Sequence, residues 1–168
     1  HALVERQHQL LRGELLPALA AEGIHLLSLD ALTAEQKSAA RQFFATNVLP
    51  ALTPLAVDPG HPFPHLRNKS LNLALQVVRS EKKKQKKSAP REKLLAVVQV
   101  PSMLPRLVRV PPAAGQVHAF VLIEDLIAIH ANDLFPGYEV LHPATSAFRV
   151  LRNWDLEVDE EESDDLLS

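Results

Sequence analysis

A group of basic and amide side chains near the C-terminal end of the sequence offers the chemistry of phosphate binding. Arg149 and Arg152 are followed directly by Asn153, and a guanidinium group presents a planar fork of N–H donors that matches phosphate oxygens. Because Asp155 and Glu157 follow closely, structural ion pairs are the competing interpretation. The pattern predicts Arg149, Arg152 and Asn153 as candidate phosphate contacts, with an ion-pair role as the alternative.

A dense lysine block lies in the middle of the chain and could bind a polyanion. It consists of Lys82, Lys83, Lys84, Lys86 and Lys87. No aromatic residue is interleaved with these lysines, so stacking on nucleic-acid bases is not indicated. The chain's net charge of −2 gives no general attraction to nucleic acid or membranes. A solvated, flexible loop is the competing interpretation of the block.

Metal binding and nucleophilic catalysis find little support in the sequence. His61 and His65 have the spacing of two ligands on one helix face, but Pro62 and Pro64 exclude that helix. The acidic run at 155–165 lacks the glycine and the ligand spacing of a calcium loop. Neither a glycine-rich phosphate loop nor a serine nucleophile elbow can be placed. We therefore predict no metal site within this chain.

The bulk composition fits a globular protein of a reducing compartment. The chain has 168 residues, of which 46% are hydrophobic, so a core can form. It contains no cysteine, which excludes disulfides and suits the cytoplasm. No apolar run approaches the roughly 20 residues that span a bilayer. We expect a cytoplasmic protein without a transmembrane segment, for which peripheral association with a membrane stays possible.

The elements that would position these residues begin with a helix. Apolar residues recur at helical spacing over residues 2–22, and Gly23 is a plausible C-terminal stop. Gly13 and Pro17 predict a kink or a break within this helix. The short apolar run at 24–27 then predicts a brief extended segment.

A second helix and a proline-rich path follow. Thr33 is a good N-cap and Gln36 stands three residues later, as a capping box requires. This helix should end before Pro50, because the residue before a proline is disfavoured in the α conformation. Prolines recur from Pro50 to Pro64, which predicts an ordered but irregular loop without a central strand.

The rest of the chain predicts mostly strands. A helix at 124–134 interrupts them, and the first two strands read as a hairpin with a long connection. The candidate strands cover residues 71–77, 94–100, 107–110, 118–123, 138–141 and 148–151. The predicted fold class is therefore α+β, with N-terminal helices followed by a mixed or antiparallel sheet and one or two packed helices.

Four ordered segments resemble the long, histidine-phosphorylated bacterial polyphosphate kinases. They are VLPALTPLAVDPGHPFPHLRNKSLNLAL (48–75), VPSMLPRLVRVPP (100–112), FVLIEDLIAIHANDLFPGYEV (120–140) and FRVLRNWDLEVDEEESDDLL (148–167). The departures from the family pattern are few, namely His65, Leu151 and Trp154. The lysine block stands where the length of the family varies, which favours a solvated loop.

The resemblance implies an internal piece of a larger cytoplasmic enzyme. Residues 1–31 would be the end of an N-terminal helical domain, and residues 32–168 would be an incomplete middle, or head, domain. The parent enzyme would transfer the γ-phosphate of ATP reversibly to inorganic polyphosphate through a phosphorylated histidine, with Mg²⁺ as a further cofactor. The catalytic histidines would lie beyond residue 168, so this piece would serve architecture and contact between identical subunits.

Two other functions stay open at this point. One is a stand-alone polyanion-binding or scaffold domain that uses the lysine block at 82–87. The other is an unrelated metal-dependent enzyme that uses His61, His65 and the acidic run. The piece of a kinase is expected to be inactive alone and to bind neither ATP nor a metal by itself.

Overall fold

The computed structural model describes residues 2–57, 64–80 and 93–151. The helices are α1 (Ala2–Leu10), α2 (Leu16–Ala21), α3 (Ala34–Phe43) and α4 (Ile123–Ile129). The strands are β1 (Ile24–Leu26), β2 (Thr53–Val57), β3 (Leu71–Arg79), β4 (Lys93–Gln99), β5 (Leu107–Val110), β6 (His118–Leu122) and β7 (Tyr138–Arg149). Arg152, Asn153, His61 and the lysine block at 82–87 lie outside the described residues.

The strands form two sheets, and the predicted α+β class is confirmed. In the three-stranded sheet, of order β1-β6-β5, β1 is parallel to β6 and β5 is antiparallel to it. The four-stranded sheet, of order β2-β4-β3-β7, is antiparallel throughout. The predicted hairpin of β3 and β4 is present, and its pairing extends to Val78 opposite Lys93. Since β1 pairs with β6, a strand of the predicted N-terminal segment lies in a sheet of the later region.

The first helix is interrupted where the sequence predicts it. A π-helical turn at Leu11–Leu15, which contains Gly13, separates α1 from α2. Pro17 lies in the first turn of α2, where its missing N–H breaks no helical hydrogen bond. Gly23 follows the end of α2 with φ of 76°, a conformation that glycine adopts without steric strain. No residue of α1 or α2 is buried, so their apolar stripe is exposed.

The second helix begins with the predicted capping box. Gln36 N donates to Thr33 Oγ1 at 3.2 Å, and Thr33 N donates to Gln36 Oε1 at 3.1 Å. Beyond α3 the helical backbone continues through a π-helical turn at Phe44–Val48 and a 3₁₀ turn at Leu49–Ala51. The helical path therefore includes Pro50 instead of ending before it. Pro50 is tolerated because it occupies the first turn of the 3₁₀ segment.

The irregular loop expected from Pro50 to Pro64 is wrong for its first part. Strand β2 includes Pro54 and pairs antiparallel with β4. Proline cannot donate to a sheet, but β2 is an edge strand and needs donors on one side only. The prediction that no central strand forms here agrees with this position. Residues 58–63 lie outside the described ranges.

The two strands expected at 138–141 and 148–151 are one continuous strand, β7. It pairs antiparallel with β3, and the register shifts between Leu75 and Val77. The pairing skips residues 141–144 of β7, an irregularity of the bulge type. A bulge bends a strand without ending it, so both ends of β7 stay in the same sheet.

One hydrophobic cluster joins the two sheets and the helices. Its members include Phe44, Val48, Leu73, Leu75, Val77, Val108, Val121, Leu126 and Ile127. The helix predicted at 124–134 is observed as α4 followed by a 3₁₀ turn at Ala131–Leu134. Because close-packed side chains fix the elements relative to each other, the ends of β3, β4 and β7 hold a set position beside the β4–β5 connection.

Candidate functional site

A cavity of about 540 Å³ lies at one end of the four-stranded sheet. It lies where β3 begins, β4 and β7 end, and the connection from β4 to β5 passes alongside. Four cationic side chains line it, namely Arg67, Lys69, Arg106 and Arg149. They come from three separate segments of the chain, the turn before β3, the β4–β5 connection and the end of β7, so tertiary structure brings them together.

The turn before β3 carries the first two cations. Ser70 N and Ser70 Oγ both donate to Arg67 O, at 3.2 Å and 2.7 Å. Asn72 is fully buried, and its Nδ2 donates to Ser70 O at 2.9 Å. Lys69 has φ of 62°, a conformation that costs a non-glycine residue energy unless its surroundings hold it. These hydrogen bonds fix the backbone of the turn that carries Arg67 and Lys69.

Arg149 closes the turn from the end of β7. Its Nη1 donates to Lys69 O, while Lys69 N donates to Val150 O at 2.8 Å. Arg149 also pairs with Leu71 in the ladder between β7 and β3. The guanidinium group is thus anchored through one of its donor nitrogens, and a guanidinium carries further N–H donors with which it can bind a ligand in the cavity.

Arg106 reaches the cavity from the β4–β5 connection and is held by a buried carboxylate. Its Nη2 and Nε lie 2.7 Å and 3.0 Å from Glu124 Oε1. The Glu124 side chain is 8% exposed and that of Arg106 is 58% exposed. The hydrogen bond to Glu124, more than their Coulomb attraction, raises the pKa of Arg106, against a smaller opposing effect of burial. Glu124 Oε2 is buried with no hydrogen-bond partner, so the pair fixes Arg106 through one oxygen only.

The cavity is therefore electropositive. Among the residues that the structure describes, Glu124 is the only carboxylate paired with a cation of this wall, and it is paired with Arg106. Arg67, Lys69 and Arg149 are exposed side chains that leave a net positive charge around the space. Guanidinium and ammonium groups bind oxyanions through short, charge-assisted hydrogen bonds. The arrangement suits an anion rich in oxygen atoms.

The predicted site residues are distributed unevenly. Of the three candidate phosphate contacts, Arg149 lines the cavity, whereas Arg152 and Asn153 lie outside the described residues. Arg67, Lys69 and Arg106 were missed as site residues. The only signal for them in the sequence is that they lie in the segments 48–75 and 100–112, which carry the family resemblance.

The lysine block stays a prediction, because residues 81–92 lie outside the described ranges. The strands that precede and follow it are β3 and β4, which end and begin at Arg79 and Lys93. The cavity lies at the opposite end of the same hairpin. A β-strand rises about 3.3 Å per residue, so the nine residues of β3 put Arg79 roughly 30 Å from the end of the strand that lies at the cavity.

Two of the described histidines, His118 and His130, contact side chains outside the cavity. His130 stacks on Phe44 with ring centroids 4.7 Å apart. Burial lowers the pKa of His130, opposed by the charge of Asp133 and supported by that of Arg41. His118 Nδ1 lies 3.2 Å from Arg109 Nη2. None of the described residues that line the cavity is a histidine.

Two further features follow from the described ranges. No group of three or more histidine, aspartate or glutamate side chains is placed there to hold a metal ion. Of the two histidines considered as zinc ligands, His65 is exposed and His61 lies outside these ranges. No helix within the described part of the chain has the length and apolar character needed to cross a membrane.

Comparisons with known proteins agree with each other. A family model described as the polyphosphate kinase middle domain matches residues 35–168. The chain is 41% identical over 167 residues to a polyphosphate kinase of Bacillus cereus, covering 99% of this chain and 23% of that protein. It is 40% identical over 161 residues to a polyphosphate kinase of Paraburkholderia phytofirmans, covering 95% of this chain and 22% of that protein.

A solved structure agrees as well. The crystal structure of polyphosphate kinase from Porphyromonas gingivalis matches with a TM-score of 0.75 at 27% sequence identity. The match covers 93% of this chain and 24% of that one. The chain therefore spans about a quarter or less of the length of the relatives that it resembles.

Proposed function

The chain belongs to the polyphosphate kinase family, and from that premise we propose that it is the middle part of an ATP:polyphosphate phosphotransferase. The full-length protein would transfer the γ-phosphate of ATP reversibly to the end of an inorganic polyphosphate chain. ATP and Mg²⁺ would be bound mainly by other parts of that protein, in the cytoplasm. Since this chain spans 23% of a curated relative, the activity is proposed for the whole protein.

Within that enzyme this part serves architecture and contact between identical subunits, and the phosphorylated histidine lies elsewhere. One observation carries this role: the described histidines do not converge on the cationic cavity. A histidine nucleophile must lie within reach of the transferred phosphoryl group and of the groups that bind it. His130 instead packs on Phe44, as a residue of the fold does.

The division of the chain near residue 31 belongs to the same proposal. The apolar stripe that runs from α1 through the π-helical turn is exposed, including Leu3 and Leu15, which suits helices that pack against the rest of an N-terminal domain. Strand β1 pairs with β6, so the two parts would share a sheet across that division.

The proposal is tested by comparing the full-length protein with the purified 168-residue chain. Both are incubated with ATP, Mg²⁺ and a short polyphosphate primer, and chain growth is followed on gels. We expect growth with the full-length protein and none with the isolated chain. Growth catalysed by the isolated chain would contradict an architectural role, and no growth with the full-length protein would contradict the proposed activity.

A polyanion-binding domain that uses the lysine block is the second candidate. What favours it is the position of the block between paired strands, which would present five lysines at the end of a hairpin. Replacing residues 81–92 of the full-length protein by a short turn separates the candidates. We expect unchanged subunit association and unchanged polyphosphate affinity; a large loss of affinity would favour the lysine block.

A further inference from the structure

We infer that the cavity lined by Arg67, Lys69, Arg106 and Arg149 binds the phosphate chain of inorganic polyphosphate. The inference rests on the proposed function, because it names this part of the enzyme as a binding site for the polymeric substrate. It adds a role to a region otherwise assigned to architecture.

Charge selects the class of ligand. Of the four cations around the cavity, only Arg106 has a described carboxylate partner, Glu124. The uncompensated positive charge repels metal cations and attracts anions. A phosphate chain carries negative charge along its whole length, so it can contact several of these cations at once. A monovalent anion can satisfy only part of the same set.

The side chains that line the cavity favour a chain of phosphoryl groups over a nucleotide. A volume of about 540 Å³ lies within the range of sites that hold organic ligands, about 300–1,000 Å³. No aromatic side chain lines it among the described residues, so a nucleobase would find no ring on which to stack. Ser70, Ser102 and Gln99 add further hydrogen-bonding groups beside the apolar residues of the wall. The oxygens of a phosphate chain can bind the cations and these polar groups together.

Two of the four cations, Arg106 and Arg149, are held by hydrogen bonds before any ligand arrives. Glu124 fixes Arg106 through two hydrogen bonds, and the carbonyl of Lys69 fixes Arg149. Buried Asn72 supports the turn that carries Arg67 and Lys69. A site whose groups are already positioned loses less conformational entropy on binding, so its contacts contribute more to affinity.

Full-length protein carrying Arg67→Gln and Lys69→Asn tests the inference. Both side chains are exposed, and asparagine tolerates the positive φ of residue 69 better than most residues do. The matched control carries Arg79→Gln and Lys93→Gln, which remove two exposed cations at the other end of the β3–β4 hairpin. Thermal unfolding of both variants establishes that the fold is kept.

Binding of a fluorescent polyphosphate of defined length is measured against salt concentration. We expect the cavity variant to bind at least about tenfold more weakly, since two charge-assisted contacts are lost. Its affinity should also depend less steeply on salt, because fewer counterions are displaced. The control variant should bind like the wild type. Equal affinity of the cavity variant and the wild type would overturn the inference.

Steady-state kinetics identify the ligand. In the cavity variant the KM for the polyphosphate primer should rise by a similar factor, with KM for ATP and kcat little changed. A selective rise in KM for ATP would instead identify a nucleotide site and overturn the inference. A competition experiment distinguishes a polyphosphate chain from single inorganic phosphate ions as the ligand. Inorganic phosphate at matched ionic strength should not displace the labelled polyphosphate. Displacement would indicate a site for single phosphates.

The acidic run at 155–165 is the competing occupant, because it follows Arg149 closely in the sequence. Replacing Glu160, Glu161 and Glu162 by glutamine tests this. If these carboxylates occupied the cavity, the variant would bind polyphosphate more tightly and the gain would vanish with Arg67→Gln and Lys69→Asn. We expect no such gain. The activity of the wild-type enzyme separates failure of this inference from failure of the proposed function. If the wild type is active and the cavity variant binds polyphosphate equally well, only this inference is refuted. If the wild type is inactive, the proposed function is refuted.

Discussion

The side chain of Gln36 connects α3 to the loop after β5 by hydrogen bonds. A substitution at Gln36 therefore tests how this contact stabilises the fold. It is 2% exposed. Its Nε2 donates to Pro111 O at 2.8 Å and to Gln116 Oε1 at 2.9 Å, while its Oε1 accepts from Thr33 N. Gln36→Glu keeps the size of the side chain and the acceptor of the capping box, but it removes both donor contacts.

The cost of Gln36→Glu can be worked out from these contacts. Each lost hydrogen bond is worth about 1 kcal/mol, and the new carboxylate would face two oxygen acceptors in a buried place, which adds about 1–3 kcal/mol. We therefore expect a loss of about 3–5 kcal/mol near pH 7. With a urea dependence of about 2 kcal/mol per molar, the unfolding midpoint of the 168-residue chain should fall by about 1.5–2.5 M.

Thr33→Ala is the matched control, because it removes only the reciprocal half of the capping box. Loss of such an N-cap costs about 1 kcal/mol, or about 0.5 M in urea midpoint. Circular dichroism at 222 nm follows both titrations. The reasoning is refuted if Gln36→Glu destabilises the chain no more than Thr33→Ala does.

The pH dependence of the same variant is a second check. Burial without a donor raises the pKa of the introduced carboxyl above its unfolded value. A group with a raised pKa in the folded state is least costly below its unfolded pKa, and the penalty grows as pH rises through the folded pKa. The difference between Gln36→Glu and wild type should therefore be smaller at pH 4 than at pH 7. A difference independent of pH would show that lost contacts, and not the buried charge, dominate.

Three further changes test other parts of the fold by urea unfolding. Arg106→Met leaves the buried carboxylate of Glu124 without its cation and should lower the free energy of unfolding by about 1–2 kcal/mol, because the arginine is largely exposed. The double variant Arg106→Met with Glu124→Met should recover most of this loss. If it recovers none, the loss is not caused by the broken ion pair. Because burial lowers the pKa of His130, its contribution to stability is present above about pH 6.5 and is lost as pH falls further; His130→Gln should make the midpoint less sensitive to pH between 7.5 and 5, and equal sensitivity would count against the role of burial. Gly23→Ala places a Cβ 2.6 Å from Val117 Cγ2 at a φ of 76° and should cost about 2 kcal/mol, whereas an unchanged midpoint would mean that the loop shifts freely.

Much of the secondary structure was predictable, because local chemistry decides it. The capping box of Thr33 and Gln36 involves residues three positions apart, so the sequence contains both partners side by side. The stop at Gly23 and the interruption at Gly13 likewise depend on the residue at that position. The errors came where the neighbouring strand decides the outcome. Pro54 can belong to a strand only because β2 lies at a sheet edge, and β7 stays one strand because β3 pairs with both of its halves.

The candidate site depended on tertiary structure far more. The sequence by itself predicted Arg149 as a candidate phosphate contact from its type, the capping box from its spacing and the family from its long motifs. It could not place Arg67, Lys69 and Arg106 beside Arg149, because these residues meet only when β3, β4 and β7 are aligned by pairing. Likewise, the spacing of Thr33 and Gln36 predicted the cap, but the other partners of Gln36 lie 75 and 80 residues away. Contacts over such separations form only after the chain has closed long loops around a shared core, so the tertiary structure decided them.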